Sequence, residues 1–121
     1  MTATDRSPVA GDIFLADLDT TRGSEQAGFR PVMIISSGMM HTKSKRVIVC
    51  PITSNMQPWT TKLLLPVGFK TVGMVLTDQV RALDKAERLL RYIETLPVDF
   101  VTLVRSYVGR LLDLEIVRPS A

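Results

Sequence analysis

The chain has 121 residues, 45% of them hydrophobic, and a formal net charge of +3. This fits one domain with a real core and excludes bulk disorder. No apolar run approaches the ~18 residues of a membrane span, and the N-terminus lacks the apolar stretch of a secretory signal, so a cytoplasmic protein is expected. A single cysteine, Cys50, excludes an intrachain disulfide. Together with the single histidine, His41, it cannot build a zinc site of the usual kind, nor can one chain run a two-histidine ribonuclease mechanism.

Residues 1–10, MTATDRSPVA, read as a short flexible arm. GDIFLADL, 11–18, reads as a strand mostly buried on both sides, followed by the loop DTTRGSEQAGF. PVMIIS is a second strand, entered through Pro31, a tolerated position at a strand start. SGMMHTKSK reads as a loop. RVIVCPIT is a β-branched third strand holding Cys50 as a buried, inert thiol. SNMQPWTT is a turn-rich loop, and KLLLPV and GMVLTDQV are further short strands. Asp84 can cap a short helical turn. RLLRYIETL suits a last strand, although propensity also allows a helix.

Phe100, Leu103, Val104, Tyr107, Val108, Leu111 and Leu112 follow the i, i+3, i+4 rule, which predicts an amphipathic helix over 97–114 with Pro97 at its first position. Roughly five or six strands precede one helix without interleaving, which disfavours a doubly wound parallel sheet. The expectation is a mainly β, α+β protein: a small, strongly bent antiparallel sheet or barrel with a C-terminal helix packed on it. One domain spans 11–116, and 117–121 is a tail.

The charge distribution is uneven. Between Glu25 and Asp78 there is no acidic residue, while Arg30, Lys43, Lys45, Arg46, Lys62 and Lys70 fall in that window. Such a surface suits a polyanion. It is equally what a solvated basic face looks like.

GDIFLADLDTTRGSEQAGFRPVMIIS resembles the N-terminal motif of the MazF/PemK (Kid-like) toxins of bacterial toxin–antitoxin systems. PITSN, PWTTKLLLP and LTDQVRALDKAERL match further segments in order, so the resemblance runs from Gly11 to about Leu112. It implies an SH3-like or CcdB-like antiparallel barrel with a C-terminal helix, forming a homodimer. It implies a metal-independent, cofactor-free endoribonuclease that cuts single-stranded RNA, chiefly mRNA, at short sequences, leaving a 2′,3′-cyclic phosphate and a free 5′-hydroxyl. It also implies a cognate antitoxin that lays an acidic, initially disordered segment over the RNA groove.

Metal-free cleavage uses the substrate's own 2′-hydroxyl, so the protein must stabilise a dianionic phosphorane and manage two protons. Arginine keeps its charge and offers a planar donor fork. Pro31 biases Arg30 towards an extended backbone, and Gly23 and Gly28 let the preceding loop turn or swing. The resemblance makes Arg30 the key catalytic residue, stabilising the phosphorane and a candidate for the final proton, with Thr53 as its partner. On residue type alone, Arg30 more simply pairs with a loop carboxylate such as Glu25.

Asp78, before Gln79, is a candidate general base by the same resemblance, but Leu76 and Ser24 stand where that branch carries an arginine and a histidine. Asp78 could instead hold Arg81. Arg81 and Asp84 suit a local ion pair, and Asp17 with Asp19 more simply solvate a strand end than hold a metal. For RNA contact the loops 20–29 and 53–62 are best placed. Ser24, Glu25, Gln26, Asn55 and Gln79 can read or position bases, Trp59 can stack, and Lys43, Lys45, Arg46 and Lys62 can follow the backbone.

Two rival readings remain. A sister fold poisons gyrase through a C-terminal Trp-Gly-Ile, which the ending VRPSA lacks. A nuclease-dead RNA binder is the other.

Overall fold

A computed structural model describes residues 6–18 and 28–114. The strands are β1 Asp12–Asp17, β2 Phe29–Ile34, β3 Arg46–Thr53, β4 Lys62–Leu64, β5 Met74–Leu76, β6 Arg81–Asp84 and β7 Leu89–Thr95. The helices are α1 Gly38–Lys43, α2 Lys85–Arg88 and α3 Val98–Leu111, and a 3-10 turn covers Thr77–Gln79. All strand pairings are antiparallel, in the order β4-β5-β3-β2-β1-β7, with β6 also on β3. The antiparallel sheet and C-terminal helix are as expected; the pairings form an open path ending at β4 and β7.

Each face of the bent sheet carries its own core. One packs Ile13, Met33, Cys50, Ile52 and Val75 under Phe100, Val101 and Val104 of α3. The other holds Phe14, Ala16, Val32, Ile34, Val47, Val49 and Leu83 with Leu89. Buried on both sides, the central strands read as near-continuous apolar runs. Cys50 has no exposed surface, and burial pushes its thiol up to about 12, with the negative charge of Asp78 adding to the effect. It stays a protonated, inert thiol.

Strand β3 depends on two prolines. Ile48 donates its N–H to Ser36 Oγ and accepts at its carbonyl from Ile35 N, so even-numbered residues of β3 bond towards β2 and odd ones towards β5 and β6. Pro51 therefore has no donor on the β5–β6 side. That is where the pairing of 46–49 with β6 gives way to that of 52–53 with β5. The 3-10 turn bridges this gap. Likewise Gly11 donates to the Ile34 carbonyl on the β1 side, so Pro31 lacks a donor towards β3, and the β2–β3 ladder ends at Val32 opposite Pro51.

Several expectations need correction. The segment 36–44 is not a loop but carries α1, whose N-cap Ser37 accepts from Met40 N. His41 is buried and bracketed: Nδ1 donates to the Pro8 carbonyl at 2.8 Å, and Nε2 accepts from Ser36 Oγ at 2.5 Å. The expected flexible arm is docked from Arg6 onward. The fully buried Asp12 carboxylate binds Arg6 through both oxygens and also accepts from Val9 N and Thr95 Oγ1. Residues 1–5 and the tail 117–121 lie outside the described residues.

Strand β2 starts at Phe29, so Arg30 sits inside it and not before it. The segment 89–95 is the strand β7, and α3 is shorter than 97–114, with Pro97 as its cap. α3 is also rolled from its expected stripe: Val101 is buried, while Leu103, Leu111 and Leu112 are exposed. Asp84 does cap α2, accepting from Glu87 N at 3.0 Å. That carboxylate forms no ion pair with Arg81.

The 65–73 segment crosses the first core and is latched by β7. Glu94 accepts from Lys70 N, Thr71 N and Thr71 Oγ1 at 2.6–2.8 Å. Burial opposes the charge, but the Thr71 hydroxyl, these N–H groups and the Lys70 charge outweigh it and hold the carboxyl below its ordinary range. A depressed folded-state value stabilises the fold above the unfolded value of ~4.3 and is lost as pH falls through the folded value. Glu94→Gln should therefore lower stability at pH 7 by about 1 kcal/mol, a few degrees in Tm, and the gap from the parent should close below roughly pH 4. Thermal melts at both pH values check this.

Candidate nucleic-acid interface

Three proposed catalytic residues fall near the break in the sheet. In the β2–β3 ladder, Val32 faces Pro51 and Met33 faces Cys50. Continued two residues further, that register sets Arg30 opposite Thr53. Both share the alternation of Val32, Ile34, Val47 and Val49, so both fall on the face of the second core. Arg30 is half-buried, and its Nε is buried without a hydrogen-bond partner among the described residues. Such an atom is uncommon in a folded protein and needs an explanation.

Thr53 is buried, and its Oγ1 accepts from Asn55 N at 3.1 Å, which leaves the hydroxyl proton free to donate. Thr53 is also held from behind. Gly73 (φ +150°) lies so close that a Cβ there would overlap the Thr53 carbonyl oxygen. Only glycine allows that approach.

Beside Thr53, on the same face, a cleft of about 260 Å³ opens between the 55–62 segment and the 3-10 turn. Its lining gathers Asn55, Trp59, Lys62, Asp78 and Gln79, all predicted from sequence, with Thr61 and Leu76. Arg30 and Thr53 do not line it. Trp59 is 69% exposed, so it is no core residue. Lys62 Nζ donates to the carbonyls of Asn55 and Gln57 at 3.1 and 2.7 Å, so this lysine first shapes the loop. Asp78 is exposed and makes no ion pair with Arg81.

Lys43, Lys45 and Arg46 sit at the opposite end of β3 from Thr53, roughly 20 Å of strand away. Ser24, Glu25 and Gln26 lie outside the described residues, as do Gly23 and Asp19. The base of their loop is tied by Leu18 N to the Gly28 carbonyl at 3.0 Å, with Gly28 at φ +81°. Asp17 stands 3.7 Å from Arg88. No cluster of three potential metal ligands occurs among the described residues.

Sequence reasoning missed Thr61, Thr77 and Gly73. Thr61 Oγ1 is buried and has no partner among the described residues. Fully buried Thr77 binds the Thr61 carbonyl twice, through N at 3.2 Å and Oγ1 at 2.6 Å. The only available signal for the first was its place two residues after Trp59 in a polar loop.

Comparison with known proteins fits this geometry. Residues 10–112 match the family described as PemK-like, MazF-like toxin of type II toxin-antitoxin system. The endoribonuclease PemK of Escherichia coli is 34% identical over 105 residues, covering 84% of this chain and 77% of that protein. Among solved structures, MazF from Deinococcus radiodurans superposes with a TM-score of 0.82 at 29% identity, covering 91% of this chain and all of that one. A MazE–MazF structure from the same organism gives 0.78 at 26% identity, with 92% and 100% covered. With the match running across nearly all of the domain, the chain belongs to the PemK-like, MazF-like toxin family.

Proposed function

We propose that this chain is the toxin of a type II toxin–antitoxin pair and an endoribonuclease that cleaves single-stranded RNA without a metal. The relatives named as endoribonucleases support the activity. The observation that carries the mechanism is the buried Arg30 Nε, without a partner among the described residues, across the register from the free hydroxyl proton of Thr53.

The substrate's 2′-hydroxyl gives up its proton as its oxygen attacks the adjacent phosphorus, the P–O5′ bond breaks as O5′ takes up a proton, and the products are a 2′,3′-cyclic phosphate and a 5′-hydroxyl. Arg30 holds the negative charge that builds on the non-bridging oxygens, because its guanidinium cannot lose its own. Thr53 adds a neutral donor to the same phosphorane. Donors fixed in a partly buried site need little reorganisation during reaction, which is where their catalytic value lies. Asn55, Trp59, Lys62, Asp78 and Gln79, together with Ser24, Glu25 and Gln26, bind the flanking nucleotides.

Exposed apolar side chains offer partner surfaces. Met56, Leu64, Val67 and Val72 surround one hollow of about 330 Å³, and Pro66, Phe100 and Leu103 line another of about 390 Å³. The outer face of α3 adds Leu111 and Leu112. These suit a homodimer and an antitoxin whose acidic segment competes with RNA for the cations of the acid-free stretch.

Incubation with a long defined RNA in EDTA tests the mechanism. Arg30→Ala should cut at least 100-fold more slowly than the parent, with Thr53→Val less impaired; equal rates for Arg30→Ala and parent would remove the mechanism. Cleavage by neither protein would instead favour the silent binder or a protein-targeting toxin. For the antitoxin, raising salt from about 50 to 200 mM should weaken its inhibitory segment at least tenfold in a titration, since acidic contacts are screened. Affinity indifferent to salt would argue for an apolar segment instead.

A further inference from the structure

The cleft between the 55–62 segment and the 3-10 turn is braced by its own hydrogen bonds. Thr77 rivets its walls together through the Thr61 carbonyl, and Lys62 Nζ folds the loop around Asn55 and Gln57. Its volume of about 260 Å³ accommodates one nucleobase with part of its sugar. The Trp59 indole, 69% exposed, has no ring or cation partner among the described residues, which leaves a face for stacking.

The polar atoms around that space are specific. Asn55 Oδ1 accepts from Gln57 N at 2.9 Å, which fixes the amide and leaves its nitrogen as a donor. Thr61 Oγ1 is a buried hydroxyl without a partner among the described residues. Asp78 is an exposed carboxylate with no hydrogen bond or ion pair among the described residues, and an ionised carboxylate only accepts.

We propose that this cleft is a base-reading pocket for guanine in single-stranded RNA, with Asp78 as its specificity-determining residue. The proposal rests on the endoribonuclease reading above. Two carboxylate oxygens side by side match two adjacent donors. Guanine alone offers these on its Watson–Crick edge, at N1–H and N2–H₂, with O6 beside them for the Asn55 amide or the Thr61 hydroxyl. Uracil sets one N–H between two carbonyls. Adenine and cytosine each set an amino group beside a ring-nitrogen lone pair. All three turn a lone pair towards the carboxylate. Asp78 thus selects the RNA, while the chemistry stays with Arg30 and Thr53, which do not line the cleft. A guanine is therefore expected at a fixed position close to the cut.

The test uses non-cleavable 2′-O-methyl uridine pentamers with G, A, C or U at the centre, titrated into the full-length protein. Trp59 is the only tryptophan of the chain, so its fluorescence midpoint reports occupancy of this cleft. The G pentamer should bind about tenfold more tightly than the others. Asp78→Asn, which turns one acceptor into a donor, should erase that preference, and Thr61→Val should weaken the G pentamer several-fold. Equal affinity for all four pentamers, or a G preference unchanged in Asp78→Asn, overturns the pocket. Cleavage of a long RNA in EDTA separates the two readings. Parent cutting with no guanine fixed near the cut overturns the pocket and leaves the nuclease standing. If the parent cuts nothing, or Arg30→Ala cuts as well as the parent, the nuclease mechanism falls and the pentamer titration alone decides the pocket.

Discussion

Strand β3 is flanked by two missing backbone donors, and the site is arranged around them. Pro51 cannot donate towards β5 and β6, and Pro31 cannot donate towards β3. Each proline forfeits a ladder hydrogen bond in the middle of a sheet, where proline is ordinarily avoided. The gap on one side is filled by the 3-10 turn, with α3 packed close behind it. On the other side the strands end their pairing with Arg30 and Thr53 at facing positions. A fully zipped sheet would hold neither the turn that carries Asp78 nor an unpaired edge beside Arg30.

The two ends of the second core differ in how their polar groups are treated. At the Asp12 end every buried charge and ring nitrogen has partners: Arg6, Val9 and Thr95 for the carboxylate, Pro8 and Ser36 for His41. The Arg6 guanidinium also lies 4.3 Å from the centre of the Tyr92 ring. At the Arg30 end, buried atoms of Arg30 and Thr61 have none among the described residues. Natural folds tolerate such local deficits mainly where a ligand will make them good. Satisfied polar groups secure one end, and unsatisfied ones mark the other for binding.

Much of this was legible in the sequence where the signal is local. RVIVCPIT gave β3 to the residue, because a β-branched run between polar loops has few other fates. Asp84 was recognised as a cap for the same reason. What failed was long-range. α1 depends on Ser37 locally, but its His41 is fixed by Pro8, 33 residues earlier. β6 lacks a strand-like pattern of its own and exists because Ala82 and Leu83 pair with Ile48 and Val47. Asp84 caps α2 and makes no ion pair with Arg81. The candidate site was legible as residue types, through the resemblance, but the alignment of Arg30 with Thr53 depends on which edge of β3 meets β2. No local pattern encodes that choice. Nor could spacing reveal that Gly73 must make room for the Thr53 carbonyl.

The place of β1 in the sheet sets when the fold can close during synthesis. This strand lies between β2 and β7, and its buried carboxylate, Asp12, receives the hydroxyl of Thr95 from 83 residues downstream. A nascent chain that has not yet emerged past Thr95 leaves one whole edge of β1 unpaired and lacks α3 over the first core. Early strands can pair as they appear, but the structure is completed from its far end. The ribosome must therefore deliver nearly the entire domain before Arg30 and Thr53 stand on a finished sheet.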